Sequence, residues 1–152
     1  MELVHEMTYR ITGMRGPLAP TDGSPLGARQ YFEMSSATLS GPRISATLAL
    51  PGGDWMLRGG DGFWRPDVRV QFVTDDGAVV LLHYTGLVEQ TPAFTAAAEQ
   101  NRPTDWADHY LRMSMRFDVG SPDYAWLNRS LFVARGRLLG TTELEYEVYR
   151  VT

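Results

Sequence analysis

Hydrophobic and polar residues alternate along much of the chain, in short runs separated by glycine and proline. Between residues 43 and 50, Ile44, Ala46 and Leu48 occupy every second position, and polar residues lie between them. This is the period of a β-strand that buries one face. The 15 glycines and 9 prolines are spaced along the chain as turns between strands would be, which indicates many short strands.

A hairpin is predicted where two such runs, Val68–Thr74 and Ala78–Thr85, flank the turn sequence Asp75-Asp76-Gly77. The pattern predicts about nine strands in all. The remaining seven are expected near residues 2–12, 29–39, 43–50, 54–57, 110–118, 131–138 and 142–151.

Only residues 92–108 carry a convincing helical pattern, with three consecutive alanines and a restart after Pro103. Residues 13–27 are rich in glycine and proline, which predicts a long loop. Nine short antiparallel strands must protect their edges, and a closed barrel does so completely. We therefore expect an all-β chain of one domain over residues 1–152: a single antiparallel barrel of nine or ten strands with one short helical insertion. A two-sheet sandwich is the alternative.

The amino-acid composition excludes several kinds of chemistry and of binding partner. The 152 residues include no cysteine, and all 14 basic residues are arginine, so disulfides, thiolate nucleophiles and lysine Schiff bases are excluded. The net charge of -4 opposes binding to nucleic acid or to an anionic membrane. No apolar run is long enough for a membrane span, and the acidic N-terminus does not resemble a signal peptide. We expect a cytoplasmic protein.

Several blocks, taken in order along the chain, resemble the domain-of-unknown-function family 3237, a group of small bacterial and fungal proteins. The blocks are Gln30-Tyr31-Phe32-Glu33, Ser40-Gly41-Pro42-Arg43, Gly52-Gly53-Asp54-Trp55, Asp75-Asp76-Gly77-Ala78, Tyr110-Leu111-Arg112, Phe117, Tyr124-Ala125-Trp126-Leu127-Asn128 and Glu145-Tyr146-Glu147-Val148-Tyr149. The resemblance implies a calycin-like antiparallel barrel and no established activity. Substrate choice would then be expected in the loop at residues 13–27 and the insertion at residues 89–108.

Two carboxylates are candidate general bases. Glu33 shares a strand face with Tyr31, and if that face points into the barrel, burial would raise its pKa toward neutrality. The alternative is a structural ion pair with an arginine such as Arg43. Asp54 follows a Pro-Gly-Gly turn and precedes Trp55. Both could stand at a barrel mouth, with Trp55 binding substrate, or simply belong to a turn and a core.

In the strand at residues 110–118, one face is apolar and the other carries Tyr110 and Arg112. If the polar face lines a pocket, Arg112 would bind an anion and Tyr110 would donate to a developing oxyanion. Otherwise this face is simply exposed to solvent. Tyr84 is a further candidate acid, although His83 and Tyr84 lie on opposite faces, so at most one of them faces inward.

The segment containing Trp126 and Asn128 follows a Gly-Ser-Pro turn. These two residues either bind substrate, with the Asn128 amide on a carbonyl, or plug one end of the barrel while Asn128 caps backbone groups. His5, His83 and His109 show no metal-ligand spacing, and no phosphate loop or dinucleotide fingerprint is present. We therefore expect neither a metal nor a cofactor.

Three functions remain open. The first is a cofactor-independent lyase, isomerase or cyclase, working by proton transfer on a small aromatic or apolar molecule that is anionic if Arg112 holds it. Its catalytic residues would be Glu33 or Asp54, with Tyr84, Tyr110 and Arg112. The second is a small-molecule-binding barrel without catalysis, and the third is a structural barrel with a filled interior. A carboxylate and a tyrosine or arginine meeting in one lumen would favour the enzyme.

The hairpin at residues 68–85 also bears on assembly. Its second strand is apolar on both faces, with Val79 and Leu81 on one and Val80 and Leu82 on the other. Only one face can lie inside a barrel. The helical insertion or a second subunit must cover the other, and we expect a homodimer with this hairpin at or near the interface.

Overall fold

The computed structural model describes residues 1–152 as ten antiparallel strands with little helix. The alternating runs form these strands because each run buries one face against the same interior. The strands are β1 (Leu3–Arg15), β2 (Ala28–Gly41), β3 (Ile44–Leu48), β4 (Gly52–Arg58), β5 (Phe63–Arg65), β6 (Asp67–Thr74), β7 (Val79–Glu89), β8 (Leu111–Val119), β9 (Leu131–Gly140) and β10 (Glu143–Val151).

The sheet closes on itself. β1 pairs with β10 on one side and with β2 on the other, and β9, β8 and β7 continue the sheet beyond β10. The circuit from β7 back to β2 passes through β5 and β4 at one end of the barrel and through β6 and β3 at the other. The predicted antiparallel barrel of nine or ten strands is confirmed, and β5 is a short strand that the sequence pattern did not indicate.

Strand β8 shows which face lies inside. Leu111, Met113, Met115 and Phe117 are buried in the core, whereas the residues between them point outward. Arg112 and its polar neighbours therefore lie on the outer surface, as expected where charged side chains keep their hydration.

The helical content differs from the prediction of one insertion, because two short helices are present. Helix α1 (Pro92–Glu99) begins as predicted, with Thr91 accepting a hydrogen bond from the Phe94 N–H (3.1 Å). It ends at Glu99 rather than 108, because the chain turns at Asn101, whose φ is 52°, and Pro103 disfavours helix before it. Helix α2 (Ala125–Asn128) is too short to give a periodic signal.

The two helices lie at opposite ends of the barrel, which we call the α1 end and the α2 end. On α1, Phe94 and Ala98 pack against the core. At α2, Leu127 is buried, and Asn128 accepts a hydrogen bond from the Val119 N–H (3.0 Å) and donates one to the Val119 carbonyl (2.7 Å). None of the helices has the length and apolar character needed to cross a membrane.

Candidate functional site

A cavity of about 290 Å³ lies inside the barrel toward the α1 end. Most of its lining is apolar, and its walls include Met14, Phe32, Met56, Trp64, Phe94 and Leu138. A largely apolar cavity with a few polar groups is the usual form of a small-molecule site. The polar groups that face it are therefore the candidates for chemistry.

Asp54 is the one carboxylate in the cavity wall. It lies on β4, where Gly52 permits a close crossing because a Cβ there would collide with Val70 of β6. Gly52 and Gly53 are thus part of the strand rather than the predicted turn. The Asp54 carboxylate accepts a hydrogen bond from the Asp67 N–H (3.0 Å), which is available because the strand is interrupted at Pro66 between β5 and β6.

The environment of Asp54 favours its protonated form. The residue is 3% exposed, and burial raises its pKa to about 7, with a smaller contribution in the same direction from the Asp67 charge. The hydrogen bond from the Asp67 N–H acts in the opposite direction. Asp54 therefore titrates near neutral pH, where a general base is most effective.

Three tyrosines form a buried cluster beside Asp54. The hydroxyl oxygens of Tyr9 and Tyr84 are 3.3 Å apart, and the ring of Tyr146 stacks on Tyr9 with centroids 5.4 Å apart. Tyr84 and Tyr146 line the cavity. Burial raises the pKa of both well above the ordinary value, and the charges of neighbouring groups, including Asp54, raise it further. Both hydroxyls therefore stay protonated.

Arg58 is the one cation in the cavity wall. Its guanidinium lies over the Trp64 ring (4.2 Å to the centroid) and donates to the Gln30 side chain. Its Nε is buried and has no hydrogen-bond partner. No carboxylate lies within 4.0 Å of it, whereas six other arginines have such a partner.

Glu33, a candidate base if its strand face pointed inward, lies on the outer surface. Its carboxylate accepts a hydrogen bond from Arg15 Nε (3.1 Å). The structure therefore shows the alternative, a structural ion pair, but the partner of Glu33 is Arg15 rather than Arg43. Arg43 instead binds Glu6 (2.7 Å). Tyr31 and Glu33 point outward because Phe32 and Met34, on the apolar face of β2, line the cavity.

Tyr110 and Arg112 also lie outside the barrel. Arg112 sits over the Tyr110 ring (4.9 Å to the centroid) and donates to the Leu111 carbonyl (3.0 Å). The apolar face of β8 occupies the interior, so these two residues cannot reach the cavity. Of the five predicted catalytic residues, the structure brings only Asp54 and Tyr84 to one site.

The predicted substrate-binding residues lie away from the cavity. Trp55 is 48% exposed and packs on Tyr31 (4.9 Å between centroids) on the outer face of β4. Trp126 covers the α2 end, where Arg43 lies 3.7 Å from its ring centroid, and Asn128 caps Val119 as described above. Trp126 and Asn128 therefore close one end of the barrel, which was the alternative to substrate binding.

Four residues of the site were not predicted from the sequence: Tyr9, Arg58, Trp64 and Tyr146. The two tyrosines have a usable signal, since each alternates with buried apolar residues on its own strand. Arg58 has none, because an arginine at an inward position breaks the hydrophobic alternation that reveals a strand.

Each of the three histidines has a different partner. His83 contacts Asp67 (3.0 Å), His109 contacts Thr104 (2.8 Å), and His5 packs against the Tyr149 ring. No three histidine or acidic side chains form a group that could hold a metal ion.

The fold and the site define the class: a closed antiparallel barrel with a small interior pocket whose charged groups are one carboxylate and one arginine and whose wall includes buried tyrosines. Comparison with known proteins gives the family. The chain belongs to the proteins of unknown function DUF3237, which it matches over residues 1–151.

Relatives support the fold and leave the activity open. The UPF0311 protein RPA1785 of Rhodopseudomonas palustris is 26% identical over 125 residues, which cover 82% of each chain. Its crystal structure has a TM-score of 0.84 at 24% identity and covers 99% of this chain and 97% of its own. A beta-barrel like protein of Acinetobacter baumannii has a TM-score of 0.75 at 23% identity, covering 99% and 94%. A Penicillium herquei protein called an enzyme has a TM-score of 0.69 at 21% identity, covering 100% and 96%.

Proposed function

We propose that the protein is a cofactor-independent acid–base enzyme, a lyase, isomerase or cyclase, that acts on a small aromatic or apolar molecule in the interior cavity. One observation carries the proposal: Asp54 and Tyr84 line the same apolar cavity. A carboxylate and a tyrosine in one cavity are what the sequence leads us to expect of an enzyme rather than of a binding protein without catalysis. The Penicillium herquei enzyme of the same fold is consistent with it.

Asp54 acts as the base. With a pKa of about 7, it is partly ionised at neutral pH and partly ready to return a proton. Its carboxylate can take a proton from a C–H or O–H group of a bound molecule. General acid–base catalysis of this kind contributes about 10²- to 10⁴-fold to a rate.

Tyr84 acts as the donor. Its hydroxyl stays protonated because burial strongly disfavours the phenolate. A protonated hydroxyl in an apolar cavity can stabilise the negative charge that forms on a substrate oxygen when Asp54 removes a proton. Tyr9, 3.3 Å away, holds the hydroxyl in position.

The proposal is tested by proton exchange on simple carbon acids. Wild-type protein in D₂O is expected to accelerate deuterium uptake at the α-carbons of 2-tetralone and 1-indanone, followed by NMR. Asp54→Asn should lose about 10²-fold or more of that acceleration. The matched control Asp118→Asn alters an exposed aspartate on the outer face of β8 and should behave like wild type. Exchange that is equally fast with Asp54→Asn would contradict the proposal.

The second candidate is a binding barrel without catalysis. The apolar lining and the contact between the Tyr9 and Tyr84 hydroxyls favour it, since both would serve a container equally well. Binding of 2-tetralone with no acceleration of exchange in the wild-type protein would select this function over the enzyme.

We also propose a homodimer. Val79 and Leu81 are 47% and 45% exposed on the outer face of β7, and α1 lies at the end of the barrel rather than over them. Beside Leu81, a groove of about 500 Å³ runs past the exposed Leu50. Light scattering should give twice the chain mass of 17.0 kDa, and Leu81→Asp should halve it. A wild-type mass near 17.0 kDa would exclude the dimer.

A further inference from the structure

The two charged groups of the cavity wall, Asp54 and Arg58, lie on the same face of one strand and mark the two ends of its cavity-lining part. Asp54, Met56 and Arg58 are alternate residues of β4, and all three line the cavity. A strand rises about 3.3 Å per residue, so the Cα atoms of Asp54 and Arg58 are separated by about 13 Å along the strand. An acid, an apolar section and a cation therefore follow one another along the wall.

The neighbouring strand β2 adds an apolar side chain beside Asp54 and a polar one toward Arg58. On β2, Phe32 lies opposite Asp54 and Gln30 lies opposite Met56 in the ladder. Both side chains line the cavity. The wall is therefore apolar and aromatic near Asp54 and becomes polar toward Arg58.

Arg58 is equipped to bind an anion. Arginine presents a planar set of donors that matches a carboxylate, and here one of those donors, Nε, is buried without a partner. Among the arginines without a carboxylate partner, only Arg58 and Arg112 are half-buried and the others are exposed, and Arg112 is on the outer surface. Stacking on Trp64 fixes the guanidinium plane, so less side-chain entropy is lost on binding.

We infer that the cavity takes an amphipathic organic anion, with a carboxylate or similar oxyanion on Arg58, a flat apolar body against Met56 and Phe32, and its reacting group at Asp54. The inference rests on the proposed function for the reacting group alone. The anion site is defined by Arg58 and its surroundings. Arg58 thus takes the anion-binding role that was considered for Arg112 from the sequence.

Equilibrium binding of two matched probes tests the inference. Naphthalene-2-carboxylate and naphthalene-2-carboxamide have nearly the same shape and differ in charge. Calorimetry with the wild-type protein at pH 7 should show the carboxylate binding about tenfold or more tighter than the amide, because a hydrogen-bonded charge contributes more than a neutral pair. Equal affinities would overturn the inference.

Variants of Arg58 test whether this residue causes the preference for the carboxylate over the amide. Arg58→Met keeps an apolar chain but no charge, and should weaken the carboxylate about tenfold or more while changing the amide about twofold or less. Arg58→Lys should keep part of the preference. Arg69→Met, on the exposed face of β6, is the matched control and should match wild type. An undiminished preference in folded Arg58→Met or Arg58→Gln would overturn the inference.

The test separates this inference from the proposed function. Asp54→Asn should keep the preference for the carboxylate although it loses the exchange activity. A missing preference in a protein that still accelerates exchange would overturn the inference alone. A clear preference in a protein that never accelerates exchange would overturn the enzyme and leave an anion-binding barrel.

Discussion

The two ends of the barrel are built from the same strands, yet one is filled and the other is hollow. At the α2 end, the rings of Phe117 and Phe132 meet edge to face (5.0 Å between centroids) and Leu127 closes the core. At the α1 end, the inward positions of β4 carry Asp54 and Arg58 around a cavity. The packed α2 end secures the fold, which leaves the α1 end free to hold polar groups.

The two buried carboxylic acids, Glu6 and Asp54, differ in their partners and therefore in their pKa values. Glu6 binds Arg43 and Arg150, each at 2.7 Å. Burial raises the pKa of Glu6, but the hydrogen bonds and charges of the two arginines outweigh it, and the pKa lies below 4.5. Asp54 has no cationic partner, so burial prevails. Glu6 is therefore structural, whereas Asp54 is poised to exchange protons.

Removing a large ring from the filled end should have the largest effect on stability. Phe132→Ala should lower the free energy of unfolding by about 3–5 kcal/mol, because the packed surroundings cannot collapse into the space. Phe32→Ala, which alters a partly exposed cavity wall, should cost clearly less. Urea denaturation of both variants measures the difference, and equal losses would remove the contrast between the ends.

Asp54→Asn should make the protein more stable at alkaline pH. The folded-state pKa of about 7 exceeds the ordinary 3.8, so wild-type stability falls as pH rises between about 4 and 7, where only the unfolded chain has lost the proton. Asparagine has no proton to lose. The variant should gain about 2–4 kcal/mol at pH 8 and almost nothing at pH 4. Denaturation curves at both pH values measure this, and a variant less stable than wild type at pH 8 would contradict it.

Glu6→Gln should show the opposite pH dependence and a smaller effect. A depressed folded-state pKa contributes stability above 4.5 that is lost as pH falls through the folded value. Because Arg43 and Arg150 are partly exposed, solvent screening reduces the loss to about 1–3 kcal/mol at pH 7. The difference from wild type should shrink in acid. A loss that grows as pH falls would refute the ion-pair explanation.

Changes on the outer surface should have the smallest effects. Glu33→Gln and Arg112→Met should leave exchange activity at the wild-type rate and change stability by about 1 kcal/mol or less, because the Arg15–Glu33 pair is partly exposed and Arg112 has no carboxylate partner. Thermal melting and the tetralone assay measure both. A loss of activity in either folded variant would show that the altered residue contributes to the functional site.

The sequence predicts the barrel well because alternation directly encodes the faces of a strand. At the α2 end it leaves two roles open for Trp126 and Asn128, substrate binding and a plug, because local signals alone do not decide between them. It leaves the inward face of β2 undecided because Tyr31 and Glu33 are as plausible inside a pocket as outside. The tyrosine cluster could not be predicted, because Tyr9 and Tyr84 meet only through the closed sheet, 75 positions apart.

The most direct test of the account is the titration of the Asp54 carboxyl group. NMR of protein labelled with ¹³C at aspartate side chains, with the Asp54 signal assigned by its loss in Asp54→Asn, gives the pKa of this group. The account predicts a midpoint at about 7. A midpoint near the ordinary 3.8 would show that Asp54 is a solvated carboxylate, and the α1 end would then contain no general base.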